Sequence, residues 1–173
     1  MTTEPDQLAE QGKQAFINKG FDEAIKLFNQ AAEGYALSHE ALMTAEMQNN
    51  MSVALLQAGR PQESLTAALN TDQVFADEKD LKRQGMALGN QAAALEALKR
   101  YDEAIEKYDL AAQLFSQTGE GDLRALVMKS SAAIKLKTGR VTDSAFKMMG
   151  SLDAKDHPSI FERILKFFLR YIK

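Results

Sequence analysis

A chain of 173 residues with 45% apolar and 26% charged side chains has the make-up of an ordinary folded protein, not of a disordered one. Its net charge of −3 argues against a general nucleic-acid binder, because phosphate neutralisation needs a basic face. The complete lack of Cys removes disulfides, thiolate chemistry and cysteine zinc sites together.

The polar, acidic start from Met1 to Gln7 carries no signal-peptide pattern, and no stretch nears 18 consecutive apolar residues. A cytoplasmic protein without a membrane-spanning helix is therefore expected. From residue 5 onward strong helix formers dominate, and Pro occurs only at positions 5, 61 and 158. The spacing predicts helices over 5–18, 21–36, 39–57, 61–76, 79–98, 101–117, 121–138 and 141–151. Gly20, Gly59 and Gly139, with Lys99-Arg100 in the third copy, mark the turn inside each pair, where a helix commonly ends on a left-handed residue. Pro61 suits the start of its helix, since an amide donor is not needed there.

These pairs repeat every 40 residues, as the alignment of Ala24, Ser64, Ala104 and Ser144 shows. Gly12, Ser52, Ala92 and Ala132 on first helices, and Ala31, Thr71, Ala111 and Ser151 further along the second, are also small. Close helix contacts require that, and larger residues such as Leu8, Leu88, Met128, Phe28 and Tyr108 fill the spaces between. A fixed period of this size means that each unit buries its apolar face only against its neighbours. The expected fold is all-α, a right-handed superhelical solenoid of four antiparallel helix hairpins plus a C-terminal capping helix. The units span about 5–38, 39–77, 78–119 and 120–152 within a repeat domain of 1–152, and 153–173 form a linker and an amphipathic helix.

That last segment breaks the repeat. Pro158 opens it, and on a helical projection its apolar residues, among them Phe161, Ile164, Leu165, Phe168 and Ile172, cover an arc of about 200°. An ordinary surface helix needs a stripe only about 100° wide or somewhat more. Residues 160–173 carry four basic and one acidic side chain, which leaves −6 on the rest of the chain (17 basic, 23 acidic). Part of the arc is expected to cap the array. The surplus suits self-association into a homodimer, docking of a partner, or peripheral contact with a membrane, with self-association favoured over the membrane.

Small–x–small spacing and the near-identical Phe21-Asp22-Glu23-Ala24-Ile25 and Tyr101-Asp102-Glu103-Ala104-Ile105 resemble the tetratricopeptide repeat. The resemblance covers about residues 5–152. Leu8, Gln48, Leu88 and Met128 stand where the family usually has Trp, and the usual Pro between units is absent. The period of 40 exceeds the family's usual length of about 34. Six extra residues lengthen each helix by nearly one turn and keep the apolar faces in phase. The chain is thus similar to the long-repeat branch found in kinesin light chains and in scaffolds that recruit extended peptides.

The resemblance implies a non-enzymatic scaffold or adaptor that binds a partner's peptide segment on a concave face lined by the first helices. It places Asn50 and Asn90 where long-repeat scaffolds hold an Asn that bonds a peptide backbone. Lys13, Asn49, Gln57, Glu96, Lys129 and Lys137 are the neighbouring first-helix positions expected on the same surface. The carboxylate clamp of chaperone-tail adaptors is incomplete here, with Ala9 and Lys13 in the first unit and Asn90 in the third. The alternatives are an assembly or membrane-adaptor protein acting through the final helix, and a peptide sensor.

Met43, Met47 and Met51 form a helical stripe read as the seam between the first two units. His39 and His157 are too far apart in the array to act together, and acids such as Asp77-Glu78 and Glu120 and Asp122 suit helix starts. No phosphate loop, metal spacing or nucleophile–base pair emerges, so no cofactor, no metal and no enzymatic activity are expected.

Overall fold

Four of the eight described helices are seventeen residues long, and turns of two or three residues separate the helices. The computed structural model describes residues 4–140, and every element among them is an α-helix. In chain order they are α1 (Glu4–Ile17), α2 (Phe21–Leu37), α3 (Ala41–Gln57), α4 (Pro61–Ala68), α5 (Thr71–Asp77), α6 (Leu81–Ala97), α7 (Tyr101–Thr118) and α8 (Gly121–Lys137). The expected 141–151 helix and the final amphipathic segment, with Phe161, Ile164, Leu165, Phe168 and Ile172, lie outside the described residues.

The turns obey a period of 20. A left-handed residue recurs at Lys19, His39, Gly59, Lys79, Lys99, Gly119 and Gly139, each with φ between 59° and 75°. The backbone explains why so few need be glycine. At Lys19 the amide bonds the Phe16 carbonyl at 2.9 Å, and the next amide, of Gly20, bonds the Ala15 carbonyl at 2.9 Å. The same crossed pair recurs at His39, Gly59, Lys79 and Lys99. It satisfies carbonyls that a helix end leaves open and offsets the roughly 1–2 kcal/mol of strain in a left-handed L-residue. Gly20, expected at that position, has φ −79°, and Lys19 occupies the left-handed region instead. The closure geometry counts residues from the last turn of the helix, and it does not follow the glycine.

The expected single helix 61–76 is two. α4 ends at Ala68, Leu69 leaves the helix (ψ 136°), Asn70 turns left-handed (φ 63°), and α5 starts at Thr71. Asn is among the few residues that visit this region readily. The carbonyl of Ala68, freed by the break, accepts from Thr71 Oγ1 at 2.8 Å and from Gln91 Nε2 at 2.9 Å.

Packing follows the small positions. Gly12 and Ala24, Ser52 and Ser64, Ala92 and Ala104, and then Ala31, Thr71 and Ala111, are all buried. The hydroxyls of Ser52 and Ser64 approach to 3.2 Å across the α3–α4 contact. A Cβ on Gly12 would stand 2.8 Å from the Phe28 ring, which is why that position must be glycine. In the fourth copy Ala132 and Met128 are exposed, and the helix expected to cover them lies outside the described residues. Met47 is buried among Phe28, Ala31 and Tyr35, with Met43 and Met51 packed against that cluster, so the methionine stripe belongs to the core.

The chain divides into two compact units, Met1–Ser131 and Ala132–Lys173. The first holds α1 to α7 and the start of α8. Of the second, residues 132–140 are described and comprise the end of α8 and the turn that follows.

Candidate functional site

Helices α1, α3, α6 and the first part of α8 present one face of the first unit, and two depressions open on it. The first, of about 410 Å³, is lined by Lys13, Phe16 and Ile17 of α1, Phe28 of α2, and Glu46, Asn50 and Val53 of α3. The second, of about 320 Å³, lies between α6 and α8 over a floor of Tyr108 and Phe115 from α7. Met86, Gly89, Asn90 and Ala93 form one wall, and Leu123, Leu126 and Val127 the other. Ile17, Met86 and Leu126, which line these depressions, are 68%, 44% and 61% exposed.

Between the depressions α3 and α6 are tied by polar bonds. Asn90 Nδ2 donates to Asn49 Oδ1 at 3.2 Å, and Asn49 Nδ2 donates to the Ala45 carbonyl at 3.1 Å. Nearer the start of both helices, Arg83 Nη1 donates to Glu46 Oε2 at 3.1 Å, while its Nε reaches Asp80 Oδ2 at 2.6 Å and its guanidinium lies over the Phe75 ring. Asp80 also accepts from the Arg83 backbone amide, capping α6; that bond holds its carboxyl below the usual range. The same partner raises Arg83, chiefly through the side-chain bond to Asp80, so the pair stays charged. Burial, followed by the nearby Glu96 carboxylate, pushes the Tyr108 phenol up, and its hydroxyl donates to Glu96 Oε2 at 3.0 Å.

These bonds sort the expected site residues. Asn50 and Lys13 share the first depression, and Asn90 lines the second. Asn49, expected on the open surface, is only 7% exposed, because α6 approaches closely enough to cover it. Glu96 is half-buried and engaged with Tyr108. Gln57, Lys129 and Lys137 are exposed and line neither depression.

Sequence reasoning missed Arg83, Asp80, Met86, Leu126 and Gln91. Gln91 left a signal, since a polar residue stands where the second unit has Met51. It is 2% exposed, and besides the Ala68 carbonyl it donates to Asp72 Oδ1 at 2.7 Å. Met86 and Leu126 left one too, since they hold the 40-residue register of Glu46. Among the described residues no cluster of three or more His, Asp or Glu is arranged for a metal ion, and no helix is long and apolar enough to cross a membrane.

Helical pairs at a 40-residue period, with consecutive helices packed in order, decide the architecture. The fold is a TPR-like helical repeat. It is similar to the crystal structure of a Podosopora anserina putative kinesin light chain with nearly identical TPR-like repeats, with a TM-score of 0.70. The match covers 99% of this chain and 97% of that one at 15% sequence identity, so the likeness is one of fold. No family model matches the sequence, and no curated protein matches it.

Proposed function

We propose that this TPR-like array is a non-enzymatic protein-interaction module that holds a peptide segment of a partner along the face of its first helices. One observation carries the reading. The same face bears two apolar depressions, each with an Asn at the matching position of the 40-residue repeat, Asn50 in one and Asn90 in the other. An apolar pocket with a few convergent polar groups is the usual form of a binding site, and a carboxamide can pair with a peptide group through both its ends. The occupant is a stretch of partner chain that places an apolar side chain in each depression.

The test is capture of partners by the full chain, with bound proteins identified by mass spectrometry. Replacing Asn50→Ala and Asn90→Ala together is expected to lose a specific set of partners that the wild type retains. Equal capture by both forms would sink the reading.

A second reading is favoured by the final segment, whose apolar arc and four basic residues exceed what capping needs. There the protein self-associates through Phe161, Ile164, Leu165, Phe168 and Ile172 or contacts a membrane periphery, and Asn50 and Asn90 are dispensable. Its signature is a mass in solution that rises with concentration; a strict monomer that ignores anionic liposomes would exclude both forms of it.

A further inference from the structure

We propose that buried Asn49 is a positioning residue that fixes Asn90 as a hydrogen-bond acceptor for a backbone N–H of the bound segment. This role rests on the groove reading above and adds a polarity to it. The constraint starts at one backbone atom. The Ala45 carbonyl can only accept, so the Asn49 side chain must turn its NH2 group toward it, at 3.1 Å. Asn49 Oδ1 is then directed at α6, where Asn90 lies 3.2 Å away and must answer with its own NH2. Flipping either carboxamide would set oxygen against oxygen. A single carbonyl on α3 therefore dictates the orientation of a side chain on α6. The Asn90 oxygen is left turned away from α3, and the residue lines the depression between α6 and α8.

Asn50 differs. Standing 40 residues before Asn90, it makes no side-chain hydrogen bond with the described residues and is free to present either end of its amide. The two Asn are equivalent in sequence and unequal in structure: Asn90 is pre-set, and Asn50 adapts. Pre-setting matters because a side chain already held in its bound orientation loses less rotamer freedom on binding. A ligand is then selected in the third unit for an unblocked backbone donor.

The probe is a twelve-residue peptide chosen by display on the immobilised full-length protein, synthesised with a fluorophore and followed by anisotropy. Asn90→Ala is expected to weaken its binding about tenfold, the usual effect of losing one well-placed hydrogen bond at a site. Asn49→Leu should cost roughly as much with no contact to the peptide. Asn49→Ser serves where the leucine form does not fold, because a serine hydroxyl can still bond the carbonyl four residues back but cannot reach Asn90. In the double variant with Asn90→Ala the losses should not add. N-methylation of one peptide amide should weaken binding to wild type about tenfold and make little difference to the Asn49 variants. Wild-type affinity in folded Asn49→Ser, additive losses, or an N-methyl effect unchanged by the Asn49 substitution would each overturn the positioning role while leaving the groove reading intact. Indifference of the peptide to Asn50→Ala, Asn90→Ala and Met86→Gln alike would remove the groove reading, and this inference with it.

Discussion

Gly85 and Gly89 sit one helical turn apart on α6, yet their surroundings set opposite limits. A Cβ on Gly85 would stand 2.8 Å from Phe115, a ring with 2% exposure that would have to shift. On Gly89 the nearest atom would be Val127 Cγ1 at 3.7 Å, an ordinary contact. Gly85→Ala should therefore lower stability by about 1–3 kcal/mol through overpacking, while Gly89→Ala should raise it by up to about 1 kcal/mol through helix propensity. Urea midpoints of the two variants decide it, and a shared direction would refute the packing argument. Asp80 makes a pH-dependent contribution. Its folded carboxyl is held below the ordinary range, so the cap stabilises the protein above the unfolded value of about 3.9 and loses that effect as pH falls through the folded value. Asp80→Ala should cost about 1 kcal/mol at pH 7 and at pH 5, with the gap to wild type closing below about pH 4. A gap that persists unchanged at about pH 3 would contradict that assignment.

Among the elements, the break between α4 and α5 was invisible in the helix-forming sequence of 61–76. Asn70 permits it, but Gln91, contributed from α6, holds it by donating to Ala68 and Asp72. Local propensity could not reveal a bond between residues 23 apart. Gln91→Leu strands a half-buried Asp72 and removes one donor from the Ala68 carbonyl, so a loss of about 1–3 kcal/mol is expected. Hydrogen exchange should quicken first at the amides of α5, and unchanged protection there would show that the break holds itself. The turns carry the same lesson. Gly59 and Gly139 were legible as helix ends, whereas Lys19, His39, Lys79 and Lys99 adopt the same left-handed backbone without any glycine. Their conformation comes from the crossed amide bonds of the preceding turn.

At the scale of the molecule, Ile17, Met86 and Leu126 are exposed apolar side chains at the two depressions along the first helices. Met86 and Leu126 are exposed, so replacing both with Gln should alter stability by no more than about 0.5 kcal/mol per site. Partner capture, by contrast, should fall about tenfold, since an apolar anchor contributes most where it fills a pocket. Leu37→Gln, at an 84%-exposed position at the end of α2, is the control and should leave capture intact. Equal losses from both surfaces would mean that capture does not use this face.

The sequence by itself determined the all-helical repeat and its small-residue seams, though not the break between α4 and α5. A 40-residue period and the small side chains at positions such as Ser52, Ser64 and Ala104 are local patterns, and close packing leaves them few alternatives. It also marked Asn50 and Asn90 as related positions. Only the tertiary structure separated them. The approach of α6 to α3 covers Asn49, engages Asn90 and pairs Glu46 with Arg83, while Asn50 stays open beside Lys13. Periodicity reports which residues share a helical face, but burial and bond direction depend on what the neighbouring helix brings to that face.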